Sequence, residues 1–246
     1  LVLSNNDNGT LPANSNIETA DSKNNIFLTP LQFAIQEVCD SSSLNKIVKV
    51  LIKAGANVFK TDDQGKNILH LAAEKGNIEL VSYILDKEPK LLNTVCKYGS
   101  MLHLAVSQDH NDLVEEILNS TSIDLKLLDE SKNSALLLSV IVKNFNCFKS
   151  IFDFIKNNTL MSSEDKKFLF NQKNDEGNCL LHELVYAKSY ILLELMLKLP
   201  QEIGIDANEK NNQNLTYKNL QENSAKMIKE REEEAKRKKE EIKLKY

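Results

Sequence analysis

The fold class predicted by this sequence is all-α: a solenoid of about five to six helix-turn-helix units with short turn tips, followed by a charged C-terminal helix. Three observations carry that expectation. A block made of a turn signal, a short helix, a Gly-Asn break and a second apolar-periodic helix recurs along the chain. Small residues such as Ala72, Ala73 and Ala105 gather on the first helix of these blocks, and large ones on the second. Polar excess is confined to the two ends, so the middle of the 246-residue chain, 41% hydrophobic overall, has apolar side chains enough to bury.

From the N-terminus, residues 1–25 are rich in Asn, Ser, Asp and Thr and read as a flexible lead-in. They have no basic start followed by an apolar run, so a secretory signal is not expected there. The first unit, near 26–61, opens on Thr29-Pro30-Leu31-Gln32-Phe33-Ala34 and closes on Leu51-Ile52-Lys53-Ala54-Gly55-Ala56-Asn57-Val58. The second, 62–93, is the clearest. Asp62-Asp63-Gln64-Gly65 signals a turn, a short helix follows, Gly76-Asn77 breaks it, and a second helix runs from Ile78 to Leu85.

The frame returns at Ser100-Met101-Leu102-His103-Leu104-Ala105 in the third unit (94–128). It returns again at Ser134-Ala135-Leu136-Leu137-Leu138-Ser139 in the fourth (129–171) and Cys179-Leu180-Leu181-His182-Glu183-Leu184 in the fifth (172–210). A partial sixth (211–222) contains Asn214-Leu215-Thr216-Tyr217. Motif starts at 29, 67, 100, 134 and 179 are separated by 38, 33, 34 and 45 residues. The two long intervals hold insertions, Val38 to Ser43 and Asn158 to Asn171. The second insertion has a helix-start box, Ser162-x-x-Asp165, leading into Phe168-Leu169-Phe170. Residues 223–246 form a solvated helix by expectation, with Glu232–Lys236, Glu233–Arg237 and Glu234–Lys238 at the favourable i,i+4 spacing. The run Lys236 to Lys239 admits an import-signal reading, but a charged face balanced by its glutamates is the favoured one.

Second-helix residues expected to fill the core are Leu80, Ile84 and Leu85; Leu113, Ile117 and Leu118; Phe148, Ile151 and Phe152; and Leu192, Met196 and Leu197. Net charge is −4 and pI near 5.7, which removes any global electrostatic case for nucleic-acid binding. Cys39, Cys96, Cys147 and Cys179 are far apart and read as reduced, buried small residues, suiting a cytoplasmic or nuclear compartment. No stretch has the roughly 18 apolar residues of a membrane span.

The motif around His70, with its copies around Thr29, Ser100, Ser134 and Cys179, resembles the T-P-L-H-x-A marker of the ankyrin repeat. The resemblance covers residues 26–220 and rests chiefly on units two and three. It implies a protein-protein interaction module, an adaptor, scaffold or inhibitor, that is monomeric on its own and has no cofactor, metal or catalytic centre. The alternative is the ankyrin-bearing part of a host-directed bacterial effector, or of a multidomain enzyme whose catalytic part lies outside this chain. In the effector case the protein is secreted into a host cell.

By that resemblance the partner, another protein, meets the concave face made by the turn tips and the exposed side of each first helix. Unit two supplies Asp63, Gln64, Lys66, Glu74 and Lys75; unit three supplies Lys97, Ser107 and Gln108, with Cys96 and Gly99 beside them. Unit four supplies Glu130, Ser131, Asn133, Ile141 and Val142; unit five supplies Asp175, Glu176, Asn178 and Tyr186. Ile141, Val142 and Tyr186 are the apolar anchors in this set. Tyr98 and Lys132 stand where the family has its turn glycine. His70, His103 and His182 share one motif position in three units, which stacking spreads out instead of gathering around a metal. The resemblance gives them a role in hydrogen-bonding backbone and tying neighbouring units. Cys179 beside His182 reads as a small residue filling the Thr slot, and no G-x-S-x-G, H-E-x-x-H or P-loop occurs.

Overall fold

A computed structural model describes residues 19–20, 27–119, 122–199, 204–224 and 226. The expected lead-in, apart from residues 19–20, and the C-terminal charged run with Lys236 to Lys239 lie outside the described residues. The chain divides into two compact units between Phe154 and Ile155.

The first unit begins with β1 (Thr19–Ala20) paired antiparallel to β2 (Phe27–Leu28), inside and just after the stretch that composition reads as a lead-in. Helical hairpins follow: α1 (Pro30–Glu37) with α2 (Ser41–Lys53), α3 (Ile68–Glu74) with α4 (Ile78–Lys87), and α5 (Met101–Ser107) with α6 (Asn111–Leu118). The fourth pairs α7 (Ala135–Ile141) with α8 (Phe145–Asn157). First helices pack in register, α1 on α3, α3 on α5 and α5 on α7, so the molecule is helical with short tips, as the repeats predict.

Each first helix starts where the motif does. Thr29, Asn67, Ser100, Ser134 and Cys179 are the N-caps of the five motif helices. In the first, Thr29 Oγ1 accepts from the Gln32 backbone N–H at 3.2 Å while Gln32 Oε1 accepts from Thr29 N at 2.9 Å, a reciprocal box that satisfies helix-end donors. The turn from first to second helix needs one residue in the left-handed region. Gly76 (φ 67°) supplies it between α3 and α4, but Asp109 (62°) and Lys143 (61°) do the same work with side chains.

The third tip departs from the others. Its glycine sits one position late, at Gly99 (φ 90°), and the chain closes a two-residue hairpin between β3 (Val95–Cys96) and β4 (Gly99–Ser100). Lys132, in the glycine slot of the fourth tip, accepts the strained φ of 60° directly.

The core is the expected one through the fourth hairpin: Leu80, Ile84, Leu113, Ile117, Leu118, Phe148, Ile151 and Phe152 are buried, and Leu85 is half-buried. The first insertion lengthens α2, whose N-cap Asp40 accepts from Ser43 N at 2.8 Å.

In the second unit, α9 (Ser163–Asn171) is the helix of the second insertion, capped by Ser162 as the sequence box predicts. Its last turn serves the repeat. Leu169 and Phe170 are buried and Asn171 brackets the segment that follows, donating to Gly204 O at 2.6 Å and accepting from Asp206 N at 2.7 Å. Asn93, after a 3-10 turn at Pro89–Leu91, makes the same two bonds to Ser122 O and Asp124 N. Phe168, by contrast, stays exposed.

The fifth hairpin is α10 (Leu180–Tyr186) with α11 (Tyr190–Leu197), and here the expected core needs correcting. Leu193 and Met196 are buried, Leu192 is half-buried, and Leu197 is exposed. The helix is apolar all round, so periodicity could not choose its inner face. Residues 217–224 are helical.

Candidate functional site

The tips are held by their own first residue. Asp62 Oδ1 accepts from Gln64 N (3.0 Å) and Lys66 N (2.8 Å), and Asp129 Oδ1 accepts from Asn133 N (2.8 Å). Asn174 and Asn211 repeat the pattern at the fifth and sixth tips. This Asx closure braces the second, fourth, fifth and sixth tips from within, while the third is closed by the β3–β4 pairing.

Two sets of ties join neighbouring repeats. Forward ties start at the third residue of each first helix. His70 Nε2 lies 3.1 Å from Thr94 O, His103 Nε2 3.1 Å from Asn133 O, and His182 Nε2 2.9 Å from Leu215 O. In each case Nδ1 accepts from the N-cap backbone N–H, at 3.2, 3.1 and 3.3 Å, which makes Nε2 the protonated nitrogen. In the first repeat Gln32 plays the same part, with Nε2 donating to Lys60 O at 3.1 Å. Leu137 fills this slot in the fourth motif and has no donor to offer.

Backward ties start at the second helix. Asn77 Nδ2 donates to Asn45 Oδ1 (2.8 Å), His110 Nε2 meets Glu74 O (3.0 Å), and Asn144 Nδ2 donates to Val106 O (3.2 Å). His110 is the functional residue that motif reasoning missed. Its slot is filled by different amide and imidazole side chains, so no repeated letter marks it.

Burial drives the titration of these rings. It is the main cause that holds His70 down at about 4, and it lowers His103 and His182 as well. A thiol beside an imidazole, Cys179 Sγ 3.0 Å from His182 Nδ1, invites a nucleophile reading. The electrostatics oppose it: burial raises the thiol and lowers the imidazole, so neither takes the charged form a thiolate-imidazolium pair requires. Both atoms are also committed to the helix cap. Among the described residues no three His, Cys, Asp or Glu side chains converge on a metal-sized point. Among them, too, no helix is long and apolar enough to cross a membrane. All four cysteines are unpaired; Cys147 and Cys179 are buried as expected, but Cys96 is half-buried and Cys39 is exposed.

The residues assigned to a partner by resemblance fall into three groups. Lys66, Glu74, Lys97, Ser107, Gln108, Glu130 and Ser131 meet around one depression of about 380 Å³ between the tips and first helices of repeats two to four, with Asp63 and Gln64 on an adjoining one. Lys75, Asp175 and Glu176 are exposed, as are the apolar Ile141 (37%), Val142 (42%) and Tyr186 (48%). The third group needs correcting as a source of free contacts. Lys66, Asn133 and Asn178 are buried at 8%, 6% and 1% exposure. Lys66 Nζ contacts both Glu74 carboxylate oxygens at 3.0 Å and stands 4.8 Å from the Tyr98 ring centre. Asn133 Nδ2 donates to Asp129, and Asn178 Nδ2 donates to Glu183 while its Oδ1 accepts from Asn211. These three brace tips.

The comparisons with known proteins come to the same architecture. Residues 9–95 and 31–129 match the family model for ankyrin repeats (3 copies). Human transient receptor potential cation channel subfamily A member 1 is 27% identical over 150 residues, 60% of this chain and 12% of that protein. The nuclear factor NF-kappa-B p105 subunit of Rattus norvegicus is 30% identical over 166 residues, 64% of this chain and 16% of that protein. The chain thus spans less than a fifth of these curated relatives.

Among solved structures, the ankyrin repeat domain of Bcl-3 aligns with TM-score 0.62 and 23% identity, over 82% of this chain and 81% of that one. A chain from the complex of the Bd0816 predatory endopeptidase of Bdellovibrio bacteriovorus with immunity protein Bd3460 aligns with TM-score 0.61 and 20% identity, over 80% and 92%. Ankyrin repeats are protein-protein interaction modules, typically non-catalytic. From its motif caps, its histidine ties and the matched family model, the chain belongs to the ankyrin repeat family.

Proposed function

We propose that this chain is a non-catalytic adaptor, scaffold or inhibitor that binds another protein along its turn tips and first helices. The observation that carries the proposal is the depression in the first unit, where Glu74, Lys97, Ser107, Gln108, Glu130 and Ser131, all assigned to a partner from sequence, meet on neighbouring tips and first helices, with buried Lys66 bracing the second tip. Braced tips lose little freedom on binding, which favours affinity. The exposed Ile141, Val142 and Tyr186 supply apolar anchors on a polar surface. Four unpaired thiols suit the cytoplasm or nucleus, where we place it. A second reading draws on the small share of the curated relatives that the chain spans: the repeats act as the docking part of a larger effector or enzyme.

The test is affinity capture with the full chain, followed by binding measurements on Ile141→Ala, Tyr186→Ala, Glu130→Lys and Asp175→Lys. Either apolar truncation is expected to weaken a captured partner by about 2 kcal/mol if it is a hot spot, with the melting temperature held. Full-strength binding by all four folded variants moves the interface off this face.

A further inference from the structure

We propose that the depression between repeats two and four receives an uncharged apolar side chain of the partner, branched aliphatic or aromatic. This rests on the interaction reading above and specifies what the central part of that face selects.

The floor comes from one helical slot. Position four of the first helices reads Phe33, Leu71, Leu104 and Leu138, and these helices pack side by side, so an apolar strip follows the row, with Leu71 and Leu104 buried in it and Leu138 and Phe33 reaching the surface. Leu104 and Leu138 line the depression, Leu138 being half-exposed there, and Tyr98 adds a ring from the third tip. Phe33 ends the strip 43% exposed.

The walls carry charges that already have partners. Lys66 is paired with Glu74 and rests on the Tyr98 ring, and Lys97 is paired with Glu130 at 3.5 Å. The remaining carboxylate, Asp129, takes three hydrogen bonds from Asn133. An incoming ammonium or carboxylate would have to compete with the part-buried Lys66–Glu74 pair or with the bonds to Asp129 after losing some of its water. The exposed Lys97–Glu130 pair adds little to that cost. An apolar side chain loses nothing there and gains the leucine floor. Ser107, Gln108 and Ser131 offer hydroxyl and amide groups to the partner's backbone. The volume, about 380 Å³, is near the lower end of ligand-sized pockets and suits one or two side chains. Of the three carboxylates that line the depression, Glu74 and Glu130 are each paired with a lysine.

A random linear peptide library selected against the full chain tests this. Enriched peptides are expected to share an aromatic or branched aliphatic residue at one position. Their affinity should change less than about two-fold between roughly 0.05 and 0.5 M salt, since no charge pair forms. Two variants should each weaken them at least about ten-fold. Ser107→Lys projects a cation into the cleft from an exposed position in the last turn of α5, where a lysine suits the helix end. Leu138→Lys charges the floor, and a melting curve checks that it folds. Peptides that are lost on Glu130→Lys but carry a Lys, Arg, Asp or Glu anchor overturn this inference and leave the interaction face standing. Peptides indifferent to Ser107→Lys, Leu138→Lys and Glu130→Lys alike overturn both. Failure to enrich any peptide overturns the inference alone.

Discussion

His70 shows how one side chain can be a joint and a liability together. Its ring must be neutral, because Nδ1 accepts from Asn67 N while Nε2 donates to Thr94 O. Protonation would put a second N–H against a donor. With a folded value of about 4 against 6.5 for a free imidazole, the unfolded chain takes up the proton first on acidification. Stability contributed by this ring is therefore whole above pH 6.5 and drains as pH falls towards 4, by about 3 kcal/mol in all. His103 and His182 are shifted in the same direction and add to the slope. Gln32 shows that an amide can make both bonds without titrating. His70→Gln should therefore fold at pH 7 and lose less stability than the wild type between pH 7 and 4.5, read by urea denaturation. An equal loss in both proteins would remove the ring from the acid response.

At the scale of the helical hairpin, the decisive position is the left-handed residue between first and second helix. Gly76 occupies it under the His110 ring, and a Cβ there would lie 2.5 Å from His110 Nδ1. Gly76→Ala combines strained φ with a displaced backward tie, so it should cost more than about 1 kcal/mol. Lys143 holds the same slot with φ 61°, where glycine relieves strain, so Lys143→Gly should be neutral or stabilise by about 1 kcal/mol or less. Thermal melts of the two variants moving the same way would contradict the slot assignment. Most of this level is legible in the sequence, because capping chemistry fixes where a helix starts: the N-caps Thr29, Asn67, Ser100, Ser134 and Cys179 stand at the motif starts. Legibility fails where local chemistry is degenerate. Apolar residues on every side of α11 hide that Leu193, and not Leu197, points inward. The one-residue shift from Tyr98 to Gly99 recasts the third tip as a hairpin. Lys66, Asn133 and Asn178 look like free tip residues until their bracing bonds are seen.

At the largest scale, cohesion within each unit comes from similar joints between neighbouring repeats. The three rings that make forward ties contact backbone 24, 30 and 33 residues ahead, so each belongs to a different junction. Metal would have to pull a ring from its junction to bind it. A strong chelator should accordingly leave the melting temperature unchanged, and stoichiometric zinc in the purified protein would contradict the assignment of these rings to backbone. The buried imidazole N–H groups have one more consequence. A ring proton given to a carbonyl and closed off from solvent trades with water only when its junction opens. The protons on Nε2 of His70, His103 and His182 should therefore persist as separate nuclear magnetic resonance signals. Their individual decay in heavy water would time the opening of three different seams without any label being introduced.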